Sequence, residues 1–189
     1  MPNKINLPFP PYFINAYLKQ QFVDFGIVGE SEITPILPVT PDGVDMLYQQ
    51  LMETSNTPNP LLLQYDRLFR FRPTPFYRNK REQLIYTFVC SSYEKQSQAI
   101  AVAIEALDRQ DATAQDINAW VADPANTLYE DDGVTPLPKN VYFHNVRVYQ
   151  VDESRDLIEL ASVNMSAVRG KIVVEFDYHT TDPANWPYN

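Results

Sequence analysis

The chain has 189 residues, 44% of them apolar and 21% charged, which suits one folded domain with a real buried core and excludes a disordered chain. Its formal charge of −9 argues against a simple nucleic-acid binder, and its single cysteine, Cys90, excludes an internal disulfide or a cysteine-based zinc site and points to a reducing compartment. The opening MPNKINLPFPPY lacks the continuous apolar core of a signal peptide, and no stretch approaches the roughly 18–20 apolar residues of a membrane span, so a soluble protein is expected.

Sixteen prolines against five glycines imply stiff connections and extended arms. Residues 1–10 read as a proline-rich N-terminal arm. Phe13, Ile14, Tyr17, Leu18, Phe22 and Phe25 then fall at helical spacing, which predicts a helix over about 11–25, with Pro11 in its first turn and Gly26 closing it. ITPILPV, 33–39, is a short extended piece whose prolines confine it to a sheet edge or an arm. Thr40-Pro41-Asp42 is a helix start, and Val44, Leu47, Tyr48 and Leu51 carry that helix to about residue 53.

PLLLQYDRLFRFR, 60–72, reads as a strand. Leu63, Tyr65, Arg67, Phe69 and Phe71 share one face, and Leu62, Gln64, Asp66, Leu68, Arg70 and Arg72 the other. PTPFYRNKRE is a loop. Residues 82–92, apolar on both faces, read as a central strand. YEKQSQAIAVAIEALDRQ is the strongest helix, with Ala99, Ile100, Ala103, Ile104 and Leu107 in its stripe. ATAQDINAWVAD is a shorter helix capped by Thr113, with Ile117, Trp120 and Val121 inward. A polar loop of about 18 residues follows, longer than compact domains usually carry. Residues 140–153 are a third strand. Residues 154–169 fit either a helical turn or the rim of a hairpin. In GKIVVEFDYHT, 170–180, Ile172, Val174, Phe176 and Tyr178 face one way and Lys171, Val173, Glu175, Asp177 and His179 the other. Residues 181–189 form an extended C-terminal tail. The tetrad DPAN occurs at 123–126 and at 182–185, as expected of a recurring turn or helix start. The element order predicts a single α+β domain spanning 1–189, a mostly antiparallel sheet with helices packed on one face and an extended arm at each end.

Few constellations suit catalysis. His144 and His179 both fall on predicted strands, no G-x-S-x-G elbow is present, and surface or partly buried strand histidines are the expected reading over a hydrolytic pair. Cys90, within an apolar strand with no adjacent base, is expected to be an inert buried thiol. Asp108, Asp111, Asp123, Glu130, Asp131 and Asp132 cluster without EF-hand spacing, so a solvated acidic surface is expected and no metal site. The glycines form no phosphate-cradling loop, so neither ATP nor a dinucleotide cofactor is expected, and the chain reads as a non-enzyme.

Residues 67–81 carry Arg67, Arg70, Arg72, Arg78, Lys80 and Arg81 and no acid, interleaved with Phe69, Phe71, Phe76 and Tyr77. Arginine and aromatic residues are enriched at interface hot spots, which makes Arg67, Arg70, Arg72, Phe76, Tyr77, Arg78, Lys80 and Arg81 the candidate subunit interface. A stacking platform for single-stranded nucleic acid is the competing reading, weakened by the acidity of the rest of the chain. A strand with one core face and one solvated basic face is the plain alternative.

The element order resembles a known family. An aromatic helix, FINAYLKQQFVDF, leads into the proline-bearing strand ITPILPV and a short helix. PLLLQYDRLFRFRPTPFYRNK is a strand entering an aromatic–basic stretch, and QLIYTFVCSSYEKQSQAIAVAIEAL is a strand followed by a helix begun by a polar turn. VRVYQVDESRDLIELASVNMSAVRGKIVVEFDYH supplies the closing strand pair. The pattern is similar to the tail terminators of long-tailed bacteriophages, most closely the proximal tail sheath stabilisers, or tail completion proteins, of contractile-tailed T4-like phages. The resemblance implies a homohexameric ring that caps the tail tube, holds the sheath and meets the neck proteins of the head. It further implies assembly in the host cytoplasm, a place in the virion and genomic DNA passing through the lumen. A head-side connector or neck protein is the nearest structural alternative, and a single-strand-binding module using the arginine–aromatic strand the alternative from another class.

Overall fold

The computed structural model describes residues 10–29, 35–39, 43–55, 59–68, 80–109, 111–129, 133–160 and 165–180. Helix α1, Pro10–Asp24, buries Phe13, Ile14, Tyr17, Leu18 and Phe22, the stripe its spacing predicts. It stops at Gly26, whose φ of 70° is the left-handed conformation that glycine adopts without strain. Gly26 N–H donates to Val23 O and Ile27 N–H to Phe22 O, so the paired bonds of a Schellman ending satisfy carbonyls the helix would otherwise leave open.

Strand β1, Ile36–Pro38, is followed by helix α2, Gly43–Thr54, and strands β2, Leu62–Leu68, and β3, Lys80–Cys90. Helices α3, Tyr93–Leu107, and α4, Asp111–Ala122, precede the long pair β4, Val141–Leu160, and β5, Met165–Thr180. The strands form one sheet in the order β1-β2-β3-β5-β4; β1 lies parallel to β2 and the other neighbours are antiparallel. Ile36–Pro38, within the segment predicted to be extended, thus takes the edge position expected from its prolines. β3 is interior, as its two apolar faces predict. Residues 154–160 and 165–169 are arms of the β4–β5 hairpin, which settles the open choice between helical turn and hairpin. The two arms and the stretch 69–79 lie outside the described residues, apart from Pro10, which opens α1.

The α+β class and the mostly antiparallel sheet hold. α1, α3 and α4 cover the face carrying Leu63, Tyr65, Leu84, Tyr86, Phe88, Ile172, Val174, Phe176 and Tyr178. The expectation that every helix shares that face needs one correction. Tyr48 of α2 is buried against Leu62, Val89 and Ala167, which point to the opposite side, with Leu37, Leu47, Leu51 and Met52 around it. Leu62 and Val89 make that side apolar at one corner of the sheet, and α2 removes the corner from water.

Capping fixes the helix ends that flank the sheet. Ser92 Oγ accepts from Lys95 N–H at the start of α3. Thr113 does not cap α4, which begins two residues earlier. The side chain is buried inside the first turn, and its hydroxyl reaches back to accept from Arg109 N–H at 2.8 Å. The first DPAN behaves as expected, with Asp123 Oδ1 accepting from Ala125 N–H to start a 3-10 turn at Pro124–Asn126. The second lies outside the described residues.

Candidate functional site

Strand alternation sets which charges share a side of the sheet. Arg67 stands with Leu63 and Tyr65 on the helix-facing side of β2, opposite Leu84 of β3. Its Nε and Nη2 donate to Glu82 Oε2 and Oε1, each at 2.6 Å, and the Tyr178 hydroxyl also donates to Glu82 Oε1. Glu82 is 5% exposed, so this is a charge taken into the fold with its donors arranged around it. Burial first, and the Glu82 carboxylate second, hold the Tyr178 hydroxyl far above the usual tyrosine range.

Arg81 points to the other side of β3. Its Nε and Nη2 donate to Asp177 Oδ1 and Oδ2 of β5 at 2.7 and 2.8 Å, and its Nη1 lies 3.9 Å from Glu175 Oε1. Glu175 also accepts from Gln83 Nε2 at 2.9 Å and from Arg147 Nε of β4 at 3.1 Å. A polar ladder therefore crosses three strands, Arg81 and Gln83 on β3, Asp177 and Glu175 on β5, Arg147 on β4. Its carboxylates lie low and its arginine heads stand out: the Glu175 side chain is 9% exposed, those of Arg81 and Arg147 50% and 48%. Burial pushes the Glu175 carboxyl up, but hydrogen bonds from Arg147 and Gln83 and the charges of Arg147 and Arg81 outweigh it, leaving the group below its ordinary value.

Of the eight candidate interface residues, the structure thus places Arg67 and Arg81 on carboxylates of their own chain. Lys80 opens β3 opposite Tyr178. Arg70, Arg72, Phe76, Tyr77 and Arg78 lie outside the described residues. The acidic partners Glu82, Glu175 and Asp177 were missed as a site. Alternation put Glu175 and Asp177 on one face, yet nothing in a single strand says that β3 and β4 flank β5.

At the same end of that polar face, His144 and His179 meet, with Nε2 and Nδ1 2.5 Å apart and Tyr142 packed against both rings. A bulge in β4 between Phe143 and Asn145 supplies His144 as the extra residue that turns toward β5. Burial, then the neighbouring His144, lowers the pKa of His179. Cys90 is fully buried, donates to Ser92 O at 3.0 Å, and is pushed up by burial to about 11, so the thiolate a nucleophile needs is suppressed. Among the described residues no group of three His, Cys, Asp or Glu side chains is placed to hold a metal ion, and no helix is long and apolar enough to cross a membrane.

The outer edge of β4 is occupied in its first half. Asn118 of α4 donates to Phe143 O at 2.7 Å and accepts from Phe143 N–H at 2.9 Å, taking the place of a neighbouring strand. The Asp108 carboxylate accepts from Val148 N–H at 3.1 Å. Side chains that satisfy edge amides in this way discourage strand addition by another molecule. No protein-family model and no curated protein sequence matches the chain.

Proposed function

We propose that the chain is a ring-forming structural subunit, with the tail terminator of a long-tailed bacteriophage as the specific reading. The observation that carries the ring is the segregation of opposite charges into two separate stretches of the chain. Residues 67–81, which leave at β2 and return at β3, hold six basic residues and no acid. Residues 105–132, from the end of α3 through α4 and the turn beyond it, hold eight acids and one base, Arg109. That base lies 3.8 Å from Glu105 and 3.6 Å from Asp116. α4 is anchored to β4 through Asn118, and β5 stands between β3 and β4.

Complementary stretches of one chain can pair between copies set side by side. The same contact repeated from copy to copy is heterologous, and it closes into a ring when the rotation between copies allows. Because Arg67 and Arg81 already bind Glu82 and Asp177, the intermolecular partners are Arg70, Arg72, Arg78 and Lys80. The tail-terminator reading adds the resemblance in element order, and with it tail tube, sheath and neck proteins as neighbours. The acidity of the chain supports a lumen that repels DNA and lets it slide.

The test is the triple variant Arg70→Glu, Arg72→Glu, Arg78→Glu, followed by circular dichroism and light scattering. A folded monomer is expected where the wild-type chain assembles. Intact rings from the triple variant contradict the assigned interface.

A further inference from the structure

The contact between His144 and His179 has a geometry that counts protons. The ring planes are 26° apart and the ring centroids 4.7 Å apart, while the facing nitrogens are separated by 2.5 Å. The centroid distance is barely the nitrogen separation plus the two ring radii, so the imidazoles meet edge to edge in line and are not layered face on face. An in-line contact of this kind needs one N–H and one lone pair. Two neutral imidazoles provide them, with one ring's tautomer donating. One imidazole and one imidazolium provide them as well. Two imidazolium rings do not: each nitrogen then carries a hydrogen, and two positive charges face each other at hydrogen-bond distance.

Among the described residues the second charge has no ready partner. On β5, Asp177 is held by both donors of Arg81 from β3, and Glu175 by Arg147 of β4 and Gln83 of β3. Tyr142 contributes a ring. α1, α3 and α4 lie over the opposite face of the sheet, and α2 packs near Leu62, Val89 and Ala167, at the far end of β3 and β5 from Lys80 and Tyr178.

We infer that His144 and His179 form a proton-gated latch, closed with at most one added proton and opened by the second, which ties the end of β5 to the start of β4. His179 stands one residue before the end of β5, so the latch holds the last residues of that strand against β4. The inference stands independently of the ring assembly.

The test is an NMR titration of both imidazoles in the full-length chain, with amide hydrogen exchange at residues 178–180 measured alongside. In the wild type, two protonation steps separated by more than about one pH unit are expected, because coupled sites titrate as a pair. The protection factor at 178–180, exchange referred to the intrinsic rate at each pH, is expected to fall by about tenfold or more through the lower step, as in a local opening. The variant His144→Gln should leave a single step that burial still holds below the ordinary histidine value of about 6.5, and both it and His179→Gln should lose the acid-triggered fall in protection. Two wild-type rings titrating together near that value, or a protection factor indifferent to the lower step, overturn the latch; the wild-type titration decides this even where a variant fails to fold.

Discussion

Glu82 is a charge carried into the fold. Its side chain shares the helix-facing side of the sheet with Leu84, Tyr86 and Phe176, and its carboxylate is acceptable there because Arg67 and Tyr178 both donate to it. Replacing Glu82 by Gln keeps the shape but leaves the Arg67 guanidinium, 20% exposed, without its counter-charge. The expected cost is about 1–3 kcal/mol, read as a lower urea midpoint at unchanged slope. Glu175 carries the acid sensitivity of the outer ladder. Its folded pKa lies below the unfolded one, so its contribution is complete above the unfolded value of about 4.3 and is lost as pH falls through the folded value. Glu175→Gln is expected to flatten the wild-type loss of stability below about pH 4.3; a variant whose stability falls as steeply as the wild type there would show that the ladder does not matter. At this scale the sequence revealed faces but not partners. Arg67, Glu175 and Asp177 were placed on the correct sides by alternation alone. Their pairing depends on strand order, which alternation does not encode.

At the scale of elements, local chemistry was informative wherever the constraint was local. Pro10-Pro11 and Gly26 bracket α1 within one residue of the expected ends, because first-turn prolines and a left-handed glycine act within a turn. Thr113 was misread because a threonine near a helix start can accept from an N–H behind it as readily as from one ahead, and only the Arg109 contact distinguishes the two. The hairpin arms at 154–160 and 165–169 are ambiguous in the sequence because the run SRDLIELA satisfies both a helical and an alternating pattern. Gly170 shows a constraint invisible in β5 itself. A Cβ there would meet Ile100 Cδ1 of α3 at 2.8 Å, with Gln96 Nε2 and Asp152 O behind it. Gly170→Val is expected to destabilise the fold by about 1–3 kcal/mol through overpacking, measured by thermal or urea unfolding. A variant as stable as wild type would mean that α3 does not press on β5 at that point.

For the whole molecule, the class of fold was legible and the layering only partly so. Helices and strands of appropriate period and a central strand apolar on both faces predict an α+β sheet protein. That α2 crosses to the other side from α1, α3 and α4 follows from the apolar corner made by Leu62, Val89 and Ala167, three residues from three strands that only the assembled sheet brings together. The opposed charge of 67–81 and 105–132 is legible in the chain order itself, whereas the insertion of β5 between β3 and β4 is not. The side-to-side ring rests on that opposition. Light scattering of the purified protein across a range of concentrations, at low and at high salt, tests it most directly. A closed assembly of one discrete mass that dissociates as salt rises is the predicted result, because the contact is between exposed charges. A monomer at every concentration and salt, unmoved by added tail tubes, contradicts it.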